Sequence, residues 1–183
     1  APCSGLQIAA AITGHRQTAE LTNCTAISKD VPRRDVYGAV SDFIASNAGN
    51  TTLGALCEQF GRALVKKTVM TLGYGAGKNT LKRAIVEWLL DRAGRGVALP
   101  PSMDPDATPQ DWLEAAMASL GRTEYVLDWE DGSEDALFEA LDANCGATVS
   151  LMEQLQECVT YQMEEMGHEF IRWSTHDGFV TYQ

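Results

Sequence analysis

The chain has 183 residues, 45% of them hydrophobic, which is enough for one sizeable core or for a large piece of something bigger. No apolar run approaches the roughly 18 residues of a membrane span and no basic-then-apolar leader opens the chain, so a soluble protein without a membrane partner is expected. The net charge of −11 argues against a polyanion partner until it is mapped: residues 1–95 hold 12 Lys or Arg against 7 Asp or Glu, and residues 96–183 hold 2 against 18.

Taken in order, Cys3 to Ile12 is rich in Ala and predicts a short helix stopped by Gly14. Ala19 to Thr25 reads as a short strand. Asp30 caps a predicted helix from Pro32 to Ser46, with Val36, Val40, Phe43 and Ile44 as its buried stripe and Tyr37 beside them. Asn47 to Thr52 is a turn, and a basic helix follows from Leu53 to Leu72 with Leu53, Leu56, Phe60, Ala63 and Leu64 at helical spacing. The next helix, Thr80 to Arg92, buries Leu81, Ile85, Trp88 and Leu89 and is stopped by Gly94 and Gly96. Pro100, Pro101 and Pro105 mark a linker-like stretch, the expected site of a variable insertion over 93–132. Within it, Thr108-Pro109-Gln110-Asp111 is a capping box opening a helix to Leu120. Ser133 caps a short helix to Asn144, and Thr148 to Met166 is a long helix with Leu151, Met152, Leu155, Cys158, Val159 and Met163 inward. Glu169 to Trp173, a turn at His176-Asp177-Gly178, and Phe179 to Tyr182 give a hairpin signal. The expected fold class is mainly α with a small β hairpin.

The five cysteines, Cys3, Cys24, Cys57, Cys145 and Cys158, are scattered without a C-x-x-C pair, and three His are too few to complete a zinc site. Reduced thiols in an intracellular protein are the plain interpretation. Any polyanion meets the first half of the chain, because screening confines exposed charge effects to about 10 Å.

The most informative stretch is Arg62 to Gly75. Arg62, Lys66, Met70 and Tyr74 stand four residues apart and so share one broad helical stripe, cationic at one end and aromatic at the other. A guanidinium fork, a mobile ammonium and a ring for stacking suit a nucleoside triphosphate; a solvated basic face ended by a packing Tyr is the bland alternative. Gly73 to Lys78 lacks the spacing, the following Ser or Thr and the preceding strand of a phosphate loop.

Four blocks carry a family resemblance: Cys3-Ser4-Gly5-Leu6-Gln7, Asp35-Val36-Tyr37-Gly38, Arg62 to Gly75, and Trp173-Ser174-Thr175-His176-Asp177-Gly178-Phe179. In this order they resemble the single-subunit DNA-directed RNA polymerases of bacteriophages and mitochondria, with 93–132 matching poorly. The third block looks like the motif R-x3-K-x7-Y-G on the fingers helix that grips the incoming nucleotide. The resemblance implies a fingers subdomain plus part of the palm of a right-hand polymerase. Residues 1–52 would be a palm-adjacent helical segment following the first metal-aspartate motif, 53–168 the fingers with nucleotide-binding helix 53–75, and 169–183 a C-terminal hairpin.

The resemblance further implies nucleotidyl transfer between two Mg²⁺ ions, with a DNA template, ribonucleoside triphosphates and an RNA product, in an infected bacterial cytoplasm or an organelle. By it, Arg62 and Lys66 bind the triphosphate and neutralise charge on the leaving pyrophosphate, with Lys66 and Tyr74 as the catalytic pair, while Tyr74 and Gly75 stand at the insertion site with Tyr37 near the same pocket. Tyr74 would also favour ribose. Met70 and Gly5 look like the RNA-making branch, since DNA-making relatives carry an aromatic residue and a Glu there, and that Glu excludes a 2′-hydroxyl by clash. The first metal aspartate would directly precede Ala1, leaving Ala1 its backbone carbonyl. His176-Asp177-Gly178-Phe179 copies the second metal motif, but its context is that of an earlier family hairpin, so Asp177 is expected to be a turn residue. The chain is therefore expected to be an excised segment or one subunit of a split enzyme, inactive without the remainder. A noncatalytic module binding nucleotides or a protein is the alternative.

Overall fold

The protein is described here by a computed structural model covering residues 4–25, 30, 32–93, 127–167, 172–174 and 180–182. Helix α1, Ser4–Thr13, buries Leu6, Ala9 and Ala10 at helical spacing. In place of the strand expected over 19–25 stands a second short helix, α2, Arg16–Leu21. Local side-chain bonds decide this: the Thr18 amide donates to His15 Nδ1 at 3.3 Å, Arg16 pairs with Glu20 one turn on at 2.9 Å, and the Thr22 hydroxyl donates back to the Thr18 carbonyl at 2.7 Å. Thr18 and Thr22 thus serve the ends of a helix.

Helix α3, Val36–Asn47, begins later than the expected Pro32, and its cap is Asp35 rather than Asp30. The reason lies upstream. Asn23 holds the Arg34 backbone from both sides, its Nδ2 donating to the Arg34 carbonyl at 2.8 Å and its Oδ1 accepting from the Arg34 amide at 2.9 Å. That engages the Arg34 carbonyl, which a helix starting at Pro32 would turn toward the amide four residues on.

The single helix expected over 53–72 is two, α4, Thr52–Phe60, and α5, Arg62–Leu72. Gly61 separates them at φ 58°, ψ −144°, a backbone state reserved in practice for glycine. The break makes Arg62 the first residue of its helix. Helix α6, Lys78–Ala93, follows the expected one closely and packs on α5. The Thr68 hydroxyl donates to the Leu81 carbonyl at 3.1 Å, and Phe60 meets Trp88 edge-on with ring centres 5.2 Å apart.

The expected proline-rich linker, most of the insertion and the helix 108–120 lie outside the described residues. The chain returns at Leu127, and a wide turn over Trp129–Ser133 docks on the start of α4. Helix α7, Glu134–Thr160, is kinked at Cys145 (φ −128°, ψ 16°), between the two helices expected to end at Asn144 and to start at Thr148. Its buried face is Ala136, Leu137, Ala140, Leu141, Cys145, Ala147 and Thr148. The stripe expected to face inward beyond it does not: Leu155 and Val159 are 50% and 47% exposed, Cys158 is exposed, and Leu151, Met152 and Met163 are only half-buried. Two short strands, β1 (Arg172–Ser174) and β2 (Val180–Tyr182), pair antiparallel with Trp173 opposite Thr181; the turn expected between them lies outside the described residues.

Helix α5 is the centre of the core. Its Leu64, Val65, Val69 and Leu72 pack in one cluster with Val36, Val40 and Ile44 of α3, Leu81, Ile85 and Leu89 of α6, and Leu137 and Leu141 of α7. Each such side chain, fully buried, contributes about 1.5–3 kcal/mol of transfer free energy. Among the described residues no helix is long and apolar enough to cross a membrane.

Candidate functional site

With one face of α5 held in the core, its other face is fixed in space. Arg62 and Lys66, one turn apart, are both exposed, and Met70, a further turn on, is half-buried against the core cluster. The helix ends at Leu72, so Tyr74 stands just beyond it in a turn: its amide donates to the Thr71 carbonyl at 3.0 Å and the Gly75 amide to the Leu72 carbonyl at 3.1 Å. The Tyr74 side chain is 69% exposed.

Both ends of α5 are tied to the other sequence blocks. At its start, Arg62 Nε lies 3.0 Å from Asp35 Oδ2, and the guanidinium carbon lies 5.4 Å from the centre of the Tyr37 ring. At its end, α1 arrives with its first residues. Gly5 meets Gly73 so closely that a Cβ on Gly5 would stand 2.3 Å from the Gly73 carbonyl oxygen, and Ser4 Oγ lies 3.3 Å from the Tyr74 hydroxyl. Two backbones approach here because neither residue has a side chain. Sequence reasoning passed over Asp35, Ser4 and Gly73 as site residues, although each lies within a matching block.

The neighbouring cations are engaged. Lys67 pairs with Glu87, Lys82 with Glu134 at 2.7 Å, and the Lys78 ammonium lies 4.9 Å from the centre of the Phe138 ring. Among the described residues Lys66 has no ion-pair or hydrogen-bond partner. The acidic half of the chain contributes a shallow cleft at the end of α7 lined by Glu153, Glu157, Glu164 and Glu165, which repels an anion. An exposed guanidinium and an unpaired ammonium on one ridge, followed by an exposed phenol, can hold a polyphosphate and flank a base or sugar.

Burial pushes the Cys57 and Cys145 thiols up to about 12, so neither is a nucleophile near neutral pH. At Asp131 burial raises the carboxyl pKa, but hydrogen bonds from Ser133 and Thr52 outweigh it and hold the group below its ordinary value. Among the described residues no three His, Cys, Asp or Glu side chains form a group fit for a metal ion. Ala1 and Asp177, the two positions that the family motifs bring near the metals, lie outside the described residues.

The family model described as DNA-dependent RNA polymerase matches residues 1–183. Neither a curated protein nor a solved structure matches the chain.

Proposed function

Since the chain belongs to the DNA-dependent RNA polymerase family, single-subunit type, we propose that its exposed α5 ridge binds the incoming ribonucleoside triphosphate. Membership brings a nucleotidyltransferase role in transcription, with a DNA template and nucleotide substrates. In our reading residues 1–52 border the palm, 53–168 are fingers, and 169–183 end in a hairpin. The segment works inside the cell with the remainder of a polymerase chain or a complementary subunit.

Arg62 offers a planar fork to phosphate oxygens, and Lys66 offers a point charge that strengthens as negative charge collects on the departing pyrophosphate. Tyr74, beside Ser4 and exposed at the end of the helix, flanks the nucleotide's base and sugar, with Gly75 completing the turn. Met70 backs the ridge from the half-buried side, and Tyr37 supports Arg62. At Gly5 the Glu by which DNA-making relatives exclude a 2′-hydroxyl is absent, which fits a ribose substrate, and the contact with Gly73 keeps the position small. The family usually uses Mg²⁺. The described residues do not fit such a site, and in this reading its ligands come from elsewhere.

The observation that carries the proposal is convergence. Blocks distant in sequence meet at the two ends of α5, and between them Lys66 stands exposed and unpaired among the described residues. In the assembled polymerase, Lys66→Ala is expected to remove more than about 2 kcal/mol of transition-state stabilisation, roughly a thirtyfold loss in kcat/KM for nucleotide addition. Incorporation kinetics equal to the parent's would remove Lys66 from the site.

A further inference from the structure

Asp35 caps α3 and reaches Arg62 with the same carboxylate. Its Oδ1 accepts from the Tyr37 amide at 3.2 Å, which fixes the carboxylate to the start of α3, and its Oδ2 lies 3.0 Å from Arg62 Nε. The Tyr37 ring supports the same guanidinium. Gly38 keeps the space open, because a Cβ there would stand 3.3 Å from Oδ2, closer than ordinary contact. Asp35, Tyr37 and Gly38 therefore all act on Arg62, or on the group that holds it.

A guanidinium carries five donors in one plane. Engaged side-on through Nε, it has its plane set while a terminal nitrogen remains available to a second anion. An arginine already held in this way gives up less rotamer freedom when a phosphate arrives than one sweeping through solvent. Lys66, with no such partner among the described residues, is left as the mobile charge of the pair.

The geometry points to Asp35 as a positioning residue that aligns Arg62 for the incoming triphosphate, an inference that rests on the nucleotide-binding reading of α5. Asparagine caps helices as well as aspartate does, so Asp35→Asn keeps the Tyr37 amide bond while the oxygen that faces Arg62 Nε is replaced by an NH2 donor, which removes both the charge and the acceptor. In the assembled polymerase Asp35→Asn is expected to raise KM for ribonucleoside triphosphate about fivefold, the upper end for a partly exposed ion pair. Its kcat should stay within about twofold of the parent, and in an Arg62→Ala background the same change should have no further effect. A KM unchanged in Asp35→Asn, a KM lowered because the carboxylate had competed with phosphate, or an effect that persists without Arg62 overturns the assignment. Asp35→Ser, another uncharged capping residue, gives the same measurement if the Asn variant does not fold. Arg62→Ala with the parent's KM would instead overturn the nucleotide-binding reading itself, and the positioning role with it.

Discussion

At Gly5 one missing methyl group governs how α1 meets the end of α5. An alanine there gains helix propensity, yet its Cβ would overlap the Gly73 carbonyl oxygen at 2.3 Å. Overlap with backbone has no flexible side chain to relieve it. Gly5→Ala is therefore expected to destabilise the protein by about 1–3 kcal/mol, read as a lower denaturant midpoint; a variant more stable than the parent would mean that the two backbones do not touch. This residue also shows what a sequence can and cannot tell. Its block was recognisable and its small size had a family meaning, but the partner at Gly73 is remote in the chain and no local pattern pairs them. The same holds for Asp35 and Arg62: each was visible in its own block, and only the packing of α3 on α5 brings them to 3.0 Å.

Among the elements, the joint between α4 and the turn that opens α7 is built from capping groups that cross over. The Ser133 hydroxyl, expected to cap its own helix, accepts instead from the Leu53 amide at 3.0 Å, and Asp131 Oδ2 accepts from the Thr52 amide. Because the Asp131 pKa is lowered on folding, its contribution is fully present above the ordinary carboxylate value and is lost as pH falls through the lowered one. Asp131→Asn should therefore flatten part of the acid limb of the stability curve below about pH 4. Thermal unfolding of parent and variant in a series of acid buffers checks this, and parallel loss in both would contradict it. Helix existence was largely legible from apolar spacing. Boundaries were not, since they turn on Gly61 at positive φ, on Asn23 holding the Arg34 backbone, and on threonine hydroxyls whose partners lie one turn away. Spacing also overstated burial along α7. It identifies an apolar face, but whether a neighbour covers Leu155 and Val159 is a tertiary fact.

Across the whole molecule, the uneven charge of the sequence has a structural counterpart. The cations of the first half gather on α5 and α6, where most find carboxylates, and the acidic end of α7 forms its own cleft. Net charge alone would have dismissed a nucleotide partner; its distribution keeps one, because attraction and repulsion act only over about a Debye length. The central claim is that the α5 ridge faces the triphosphate, and affinity labelling addresses it most directly. A nucleoside polyphosphate bearing an aldehyde on its terminal phosphate, trapped with borohydride on the assembled polymerase, should label Lys66 in preference to its paired neighbour Lys67 and should be displaced by ribonucleoside triphosphate. Label on Lys67, Lys78 or Lys82 with Lys66 left bare, or label that excess nucleotide does not displace, would contradict it.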